Sequence, residues 1–305
     1  MRTRVWAAII VASIGWGTAG IATRSAFDEG LGPYTIVAMR TLLATVAVFS
    51  YRAIRRYPLP RDRRLWSLGA VLGTTNITIP YILITLAVQH ASAGFVGLLI
   101  TNIPLATALW AHQLLPDESL HRSQALGLTV AAGGVAVLMT SGDSGIGAAG
   151  DPGLAIGLTL AAIVVAAFGG VHARRHAPDH EVLDLAAPQF TIGTVVLVVT
   201  MLAVEGLPLE VTAAGWGLIV YMSLAGTFVP FLLFFWMLQR VSATKASLPG
   251  YVIPIVSLTG GAILLDEKIT LAIAIGGAFI LAGVVLTERA EAGRRAHSPM
   301  PEAGG

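Results

Sequence analysis

The chain is two apolar copies of one sequence. Pairing Pro80 with Pro230, a shift of 150 residues, also pairs Trp66 with Trp216, Gln89 with Gln239, Ser92 with Ser242, Ala93 with Ala243 and Pro104 with Pro254. Dropping Pro116 changes the shift to 149, which pairs Asp117-Glu118 with Asp266-Glu267, Gly127 with Gly276 and Gly134 with Gly283. Leu and Val matches come easily in an apolar chain; Trp, Pro, Gln and Asp-Glu matches do not. Of the 305 residues, 55% are hydrophobic and 12% charged, whereas soluble domains carry about a quarter charged residues. The copies therefore read as membrane-spanning. A crossing helix needs about 20 mostly apolar residues, so the length allows about ten with short loops and leaves no room for a soluble domain.

Apolar windows predict helices over 5–26, 34–51, 66–88, 93–115, 124–140, 153–172, 185–204, 216–238, 243–265 and 270–288. Arg2 and Arg4 before the first resemble a signal-peptide start, but the apolar run reaches about residue 23, so it reads as an uncleaved first helix. Orientation follows from Lys and Arg. Six arginines in 52–64 put that segment in the cytoplasm, and alternation then places every basic residue there except Arg24, Arg40 and Lys268. Losing or adding one helix scrambles this sorting. The expected fold is all-α and polytopic: ten transmembrane helices as two inverted five-helix repeats, since an odd number per repeat forces opposite orientations. The repeats cover 1–142 and 153–288, joined by an external linker over 143–152 and followed by a disordered cytoplasmic tail over 289–305. The protein is placed in the plasma (inner) membrane with both termini cytoplasmic. Two homologous apolar halves meeting at a central cavity are how many secondary transporters are built.

The paired prolines mark the middles of their helices. Pro80, Pro104, Pro230 and Pro254 each remove a backbone hydrogen bond, freeing the carbonyls of Asn76, Ile100, Gly226 and Gly250. Such groups are tolerated in a membrane where protein or a wet cavity satisfies them, so the four kinks point to a hinge or chamber; ordinary kinked packing is the alternative. Arg40 is the strongly basic residue well inside a predicted span, with no carboxylate at comparable depth. Isolation there costs about 2.5–3.5 kcal/mol, so it should face the interior, either to meet a substrate anion or to clamp helices through carbonyls and hydroxyls. Trp16, Asn76, Tyr81, Asn102, Gln189 and Tyr251 lie at similar depths and suit a chamber of few polar groups on an aromatic lining. Packing or interfacial anchoring is the alternative for the aromatic residues. Glu118 and Glu267 sit at helix junctions, where carboxylates satisfy orphan amides, and read as structural.

Other patterns carry no chemistry. Gly145-Ile-Gly-Ala-Ala-Gly150 fits a nucleotide-binding fingerprint but has no strand before it. His172, His176 and His180 recur every four residues, yet Pro178 interrupts them and Arg174 and Arg175 would repel a cation. With no cysteine, disulfides, thiolate metal sites and a Cys nucleophile are excluded. No metal or other cofactor is expected, no paired intramembrane acids or Ser-His dyad suggest an enzyme, and the basic residues are placed by topology rather than as a nucleic-acid patch.

Several motifs resemble the EamA-type branch of the drug/metabolite transporter superfamily. They are Gly15-Trp16-Gly17, Arg40, Ala87-Val-Gln-His-Ala-Ser92-Ala93, Pro104 and Leu114-Leu-Pro-Asp-Glu118-Ser-Leu in the first repeat. The second repeat shows Gln239-Arg-Val-Ser-Ala243, Pro254 and Leu264-Leu-Asp-Glu267-Lys-Ile-Thr. It departs from the pattern near Phe168 and Gly170, where an aromatic-rich stretch is usual. The resemblance implies an inner-membrane exporter or exchanger of small metabolites, commonly amino acids, with both termini cytoplasmic. The expected partners are a small-molecule substrate, the lipid bilayer and, in a homodimer the sequence leaves open, a second copy. A carrier of lipids or hydrophobic drugs, a membrane-embedded enzyme and a non-transporting sensor are the rival readings.

Overall fold

A computed structural model describes residues 2–115, 122–142, 144–146, 150–176, 180–208 and 210–295. Glu118 lies outside them, as do residues 143 and 147–149 of the linker and the last ten residues. Among the described residues the protein is entirely helical. The first repeat contains α1 (Arg2–Asp28) and α2 (Pro33–Ile54). Its third helix, α3, joins Arg63–Leu72, a π-helical stretch Gly73–Thr78 and Ile79–His90. The fourth, α4, joins Ala93–Ile100 and Ile103–Leu114, and α5 is Arg122–Ser141. The second repeat follows the same plan. It has α6 (Pro152–His176), α7 (Val182–Val204), and α8 made of Ala213–Ser223, a π-helical Leu224–Phe228 and Val229–Leu238. It ends with α9, made of Ala243–Ala246 and Pro249–Leu264, and α10 (Leu271–Arg295).

Eight of these are long and apolar enough to cross a bilayer, while α5 and α10 contribute shorter apolar stretches, Thr129–Ser141 and Leu271–Gly283. Burial is inverted relative to a soluble protein: Ile10, Ile14, Val199, Ile263 and Leu264 are exposed, while Ser13, Arg40, Thr41, Asn76 and Gln189 are buried. Lipid accepts the apolar faces, and the polar groups find partners inside. This is a multi-pass membrane protein.

The prolines account for the π-helices. Pro80 and Pro230 cannot donate and crowd the preceding turn, so the helix ahead of each widens. Ile79 N donates to Thr74 O, five residues back, and Val229 N does the same to Leu224 O. Pro104 and Pro254 do not behave alike. The first follows a break at Thr101–Asn102, whereas the second lies inside a continuous helix whose break falls at Ser247–Leu248. The reason is Pro249, whose counterpart is Leu99: proline favours the first helical turn, so it restarts the second-repeat helix one turn early.

The contacts between repeats have twofold symmetry. Along α5 and α10, Gly134 meets Gly276 and Gly127 meets Gly283 so closely that a Cβ on Gly134, Gly276 or Gly283 would strike the facing carbonyl. Exchanging the repeats turns one contact into the other. The α2 and α7 helices pair in the same manner. Thr45 and Thr194 share a 2.7 Å hydrogen bond near the middle. At one end Glu205 accepts from the Tyr34 and Thr35 amides, and at the other Arg52 donates to Asp184 at 2.9 Å.

The linker between the repeats is tied down where described: Ser92 N donates to Ser144 O and Asp151 N to His90 O. The last helix runs past its apolar window, since α10 continues to Arg295. Its extension, Glu288-Arg-Ala-Glu-Ala-Gly-Arg-Arg295, consists largely of strong helix formers with acids ahead of bases.

Candidate functional site: a chamber between the repeats

A cavity of about 170 Å³ lies between α1, α2, α3, α4, α6, α8 and α9. Twenty of its 28 lining residues form ten pairs separated by 150, among them Tyr81 and Phe231, Ile84 and Phe234, Ala93 and Ala243, and Thr107 and Ser257. The chamber therefore sits on the pseudo-twofold axis. All eight unpaired lining residues belong to the first repeat. Three of them, Thr23, Thr85 and Val88, lie toward the ends of α1 and α3, whereas their counterparts Ala173, Phe235 and Leu238 do not line the cavity. The cavity thus reaches further toward that end of the bundle than toward the other.

Arg40 lines the chamber and is 5% exposed. Its Nε and Nη2 donate to Thr227 Oγ1 at 3.1 and 2.9 Å, and Nη2 also donates to Gly226 O at 3.2 Å. That carbonyl is the one freed by Pro230. The guanidinium lies over the Tyr81 ring at 4.3 Å, and the Tyr81 hydroxyl reaches Thr227 Oγ1. Arg40 therefore ties α2 to the widened turn of α8. In the other repeat Gln189 occupies the matching place. Its Oε1 accepts from Asn76 Nδ2, in the widened turn of α3, at 3.2 Å, and its own Nε2 is buried without a partner.

Trp16, Asn76 and Tyr81 also line the chamber. Trp16 meets Phe231 and Phe234 edge-on at 5.7 and 6.0 Å, forming an aromatic wall, and Thr85, Thr107, Ser247 and Ser257 also line the chamber. Asn102, Gln189 and Tyr251 lie outside the lining. Asn102 sits at the α4 break and spends its amide on the Leu99 carbonyl. Gln189 is fully buried behind Asn76, and Tyr251 packs near Leu105 and Ala131. Of the four prolines only Pro80 lines the cavity.

The junction glutamate Glu267 caps a helix, but not the one that follows it. Its carboxylate accepts from the amides of Ala93 at 2.7 Å and Gly94 at 3.0 Å, so a second-repeat residue caps α4 of the first. Ser92 also caps α4 by accepting from Phe95 N, as Ser242 caps α9 from Lys245 N. Sequence spacing cannot say which helix a carboxylate will cap across a repeat boundary. The serines and threonines of the lining escaped notice because they are ordinary residues in membrane helices. One signal was present: the 150-residue shift pairs Arg24 with Arg174 and Val88 with Leu238. Arg24 donates to Val88 O and Arg174 to Leu238 O.

Sequence comparison assigns residues 4–140 and 153–289 each to the EamA-like transporter family. A probable terminal-alkyne amino-acid exporter of Streptantibioticus cattleyicolor is 29% identical, over 97% of both chains. The uncharacterized transporter YvbV of Bacillus subtilis is 25% identical over 93% of this chain and 91% of its own. The uncharacterized inner membrane transporter YedA of Escherichia coli K12 is 23% identical over 84% of this chain and 81% of its own. A solved crystal structure shares the fold with a TM-score of 0.72 at 19% identity, covering 98% of this chain and all of that one. The chain is a member of the EamA-like transporter family.

Proposed function

We propose that the protein is an inner-membrane secondary transporter that exports or exchanges small metabolites, amino acids or related compounds, by alternating access of two inverted repeats. Ten crossings, with both termini cytoplasmic, follow from the Lys and Arg sorting. The observation that carries the reading is the chamber lined by symmetry-related residues of both repeats: a cavity on the axis between inverted halves can face either side when they exchange conformations. Under the proposed orientation the longer reach, past Thr85 and Val88, is toward the outside.

Substrate chemistry follows from the walls. Arg40 is the sole charged residue among the lining residues, and its hydrogen bonds are to neutral oxygens. A carboxylate supplies the missing countercharge, and the Trp16, Phe231 and Phe234 wall accepts an apolar side chain. Asn76 and Tyr81 add hydrogen-bonding groups. The amino-acid exporter among the relatives points the same way. The apolar walls also favour a second reading, a hydrophobic-drug or lipid carrier, which has no use for Arg40.

Counterflow in proteoliposomes, preloaded with one unlabelled amino acid at a time and given the labelled form outside, tests this. Transient accumulation of a few amino acids, lost in Arg40→Ala, is the expected result. Silence for every amino acid from folded protein overturns the substrate class; retained flux in Arg40→Ala overturns the role of the guanidinium.

A further inference from the structure

A second cavity, of about 370 Å³, opens at the end toward which the chamber extends. Arg24, Phe27, Asp28 and Gln89 line it together with the α1–α2 turn. Neighbouring residues of the same helices line the two cavities: Thr23 and Val88 the chamber, Arg24 and Gln89 this vestibule. Arg24 is half-buried, and one guanidinium nitrogen donates to Val88 O at 3.3 Å. Among the described residues its other nitrogens have no partner, and the Gln89 amide makes no hydrogen bond. The counterpart Gln239 is occupied: it donates to His180 O and accepts from Arg240. The glutamine at one end of the bundle is thus engaged, while at the other the arginine and glutamine have groups free to meet a ligand.

The surrounding charges leave Arg24 dominant on the inner side of the vestibule. Asp28, one turn further out, is exposed and forms no ion pair within 4 Å among the described residues. Glu205 is held by the α2 amides and Glu29 by Thr212. A half-buried charge is screened less than an exposed one, and a cleft with low-dielectric walls concentrates its field.

We propose that Arg24 and Gln89 form an anion-accepting subsite at the mouth of the chamber, where a carboxylate pauses between Arg40 and the outside. Arg174, tethered to Leu238 as Arg24 is to Val88, takes the same part at the opposite mouth when the repeats exchange conformations. This rests on the chamber being the transport site, but its test needs neither transport nor a known substrate.

The cysteine-free chain permits a single reporter thiol, Thr85→Cys, in the chamber wall beyond the vestibule. Its reaction rates with anionic sulfonatoethyl and cationic trimethylammonioethyl methanethiosulfonate, applied from the Arg24 face, are each divided by that reagent's rate with free cysteine. The corrected anion-to-cation ratio should be about tenfold, the lower end of electrostatic focusing in charged clefts. It should fall several-fold in Arg24→Gln, to the remainder due to Arg40, survive in Arg24→Lys and rise in Asp28→Asn. A ratio unchanged by Arg24→Gln overturns the subsite. No reaction of Thr85→Cys with either reagent overturns the route through it. Counterflow of amino acids by a protein that fails these tests leaves the transporter reading standing.

Discussion

The two interior polar residues of the paired helices α2 and α7 do similar mechanical work with different chemistry. Arg40 grips the widened turn of α8 with three hydrogen bonds, and Gln189 grips that of α3 with one. A hydrogen bond to a charged group is worth about 1.5–3 kcal/mol. Arg40→Ala should therefore lower thermal stability in detergent as well as abolish counterflow. Arg40→Lys should keep the charge, lose the fork and remain stable enough to purify while transporting poorly; wild-type flux in that variant would show that charge alone suffices. Glu267→Ala should cost about 0.5–2 kcal/mol, the usual worth of an N-terminal cap, through the freed Ala93 and Gly94 amides. Legibility at this scale was uneven. That Arg40, Trp16, Asn76 and Tyr81 line an interior cavity was readable, because an interior charge or large polar group in a membrane helix has few reasons to be there. Asn102, Gln189 and Tyr251 have the same chemistry at the same depth, but their faces depend on helix rotation, which apolar periodicity does not report when both faces are apolar.

At the scale of the element, the helices divide by how they meet their symmetry mates. The α2–α7 and α5–α10 pairs are self-symmetric, so their contacts survive an exchange of the repeats. The α4 and α9 helices also meet as mates, Gly97 against Ser257 and Gly250 against Pro104, whereas α1, α3, α6 and α8 pack against non-equivalent partners and would exchange contacts under alternating access. The widened turns before Pro80 and Pro230 lie in this moving set, where a π-helix lets a helix change register at small cost. Pro230→Ala removes the steric cause of the bulge and restores a donor; it should leave stability equal or higher while slowing counterflow. A loss of stability with flux intact would make the bulge a packing feature. Gly134→Leu should push α5 and α10 apart and destabilise by about 1–3 kcal/mol, the usual cost of overpacking, as read by the melting temperature. The paired prolines announced the kinks in the sequence. The π-helical form and the one-turn offset between the α4 and α9 breaks did not show, because the offset hangs on Pro249 facing Leu99 in an otherwise matched segment.

At the scale of the molecule, a duplicated sequence has become a chamber with twofold-related walls and unequal mouths. The duplication and its apolarity were enough to read the helices and their repeat; the inequality of the mouths was not, since it is a property of conformation rather than of composition. Topology is tested by reporters fused after residues 58 and 147, which should read cytoplasmic and external; any other result undoes the ten-span arrangement. The central claim, that one chamber serves both sides in turn, is best tested with Ala93→Cys and Ala243→Cys. These paired lining residues begin α4 and α9 at opposite ends of the bundle. With an impermeant maleimide, Ala93→Cys should react from the outside only and Ala243→Cys from the cytoplasm only, and a transported substrate should change both rates in opposite directions. A thiol that reacts from both sides at once would mean a pore, and two thiols that react from neither would mean that the chamber does not open.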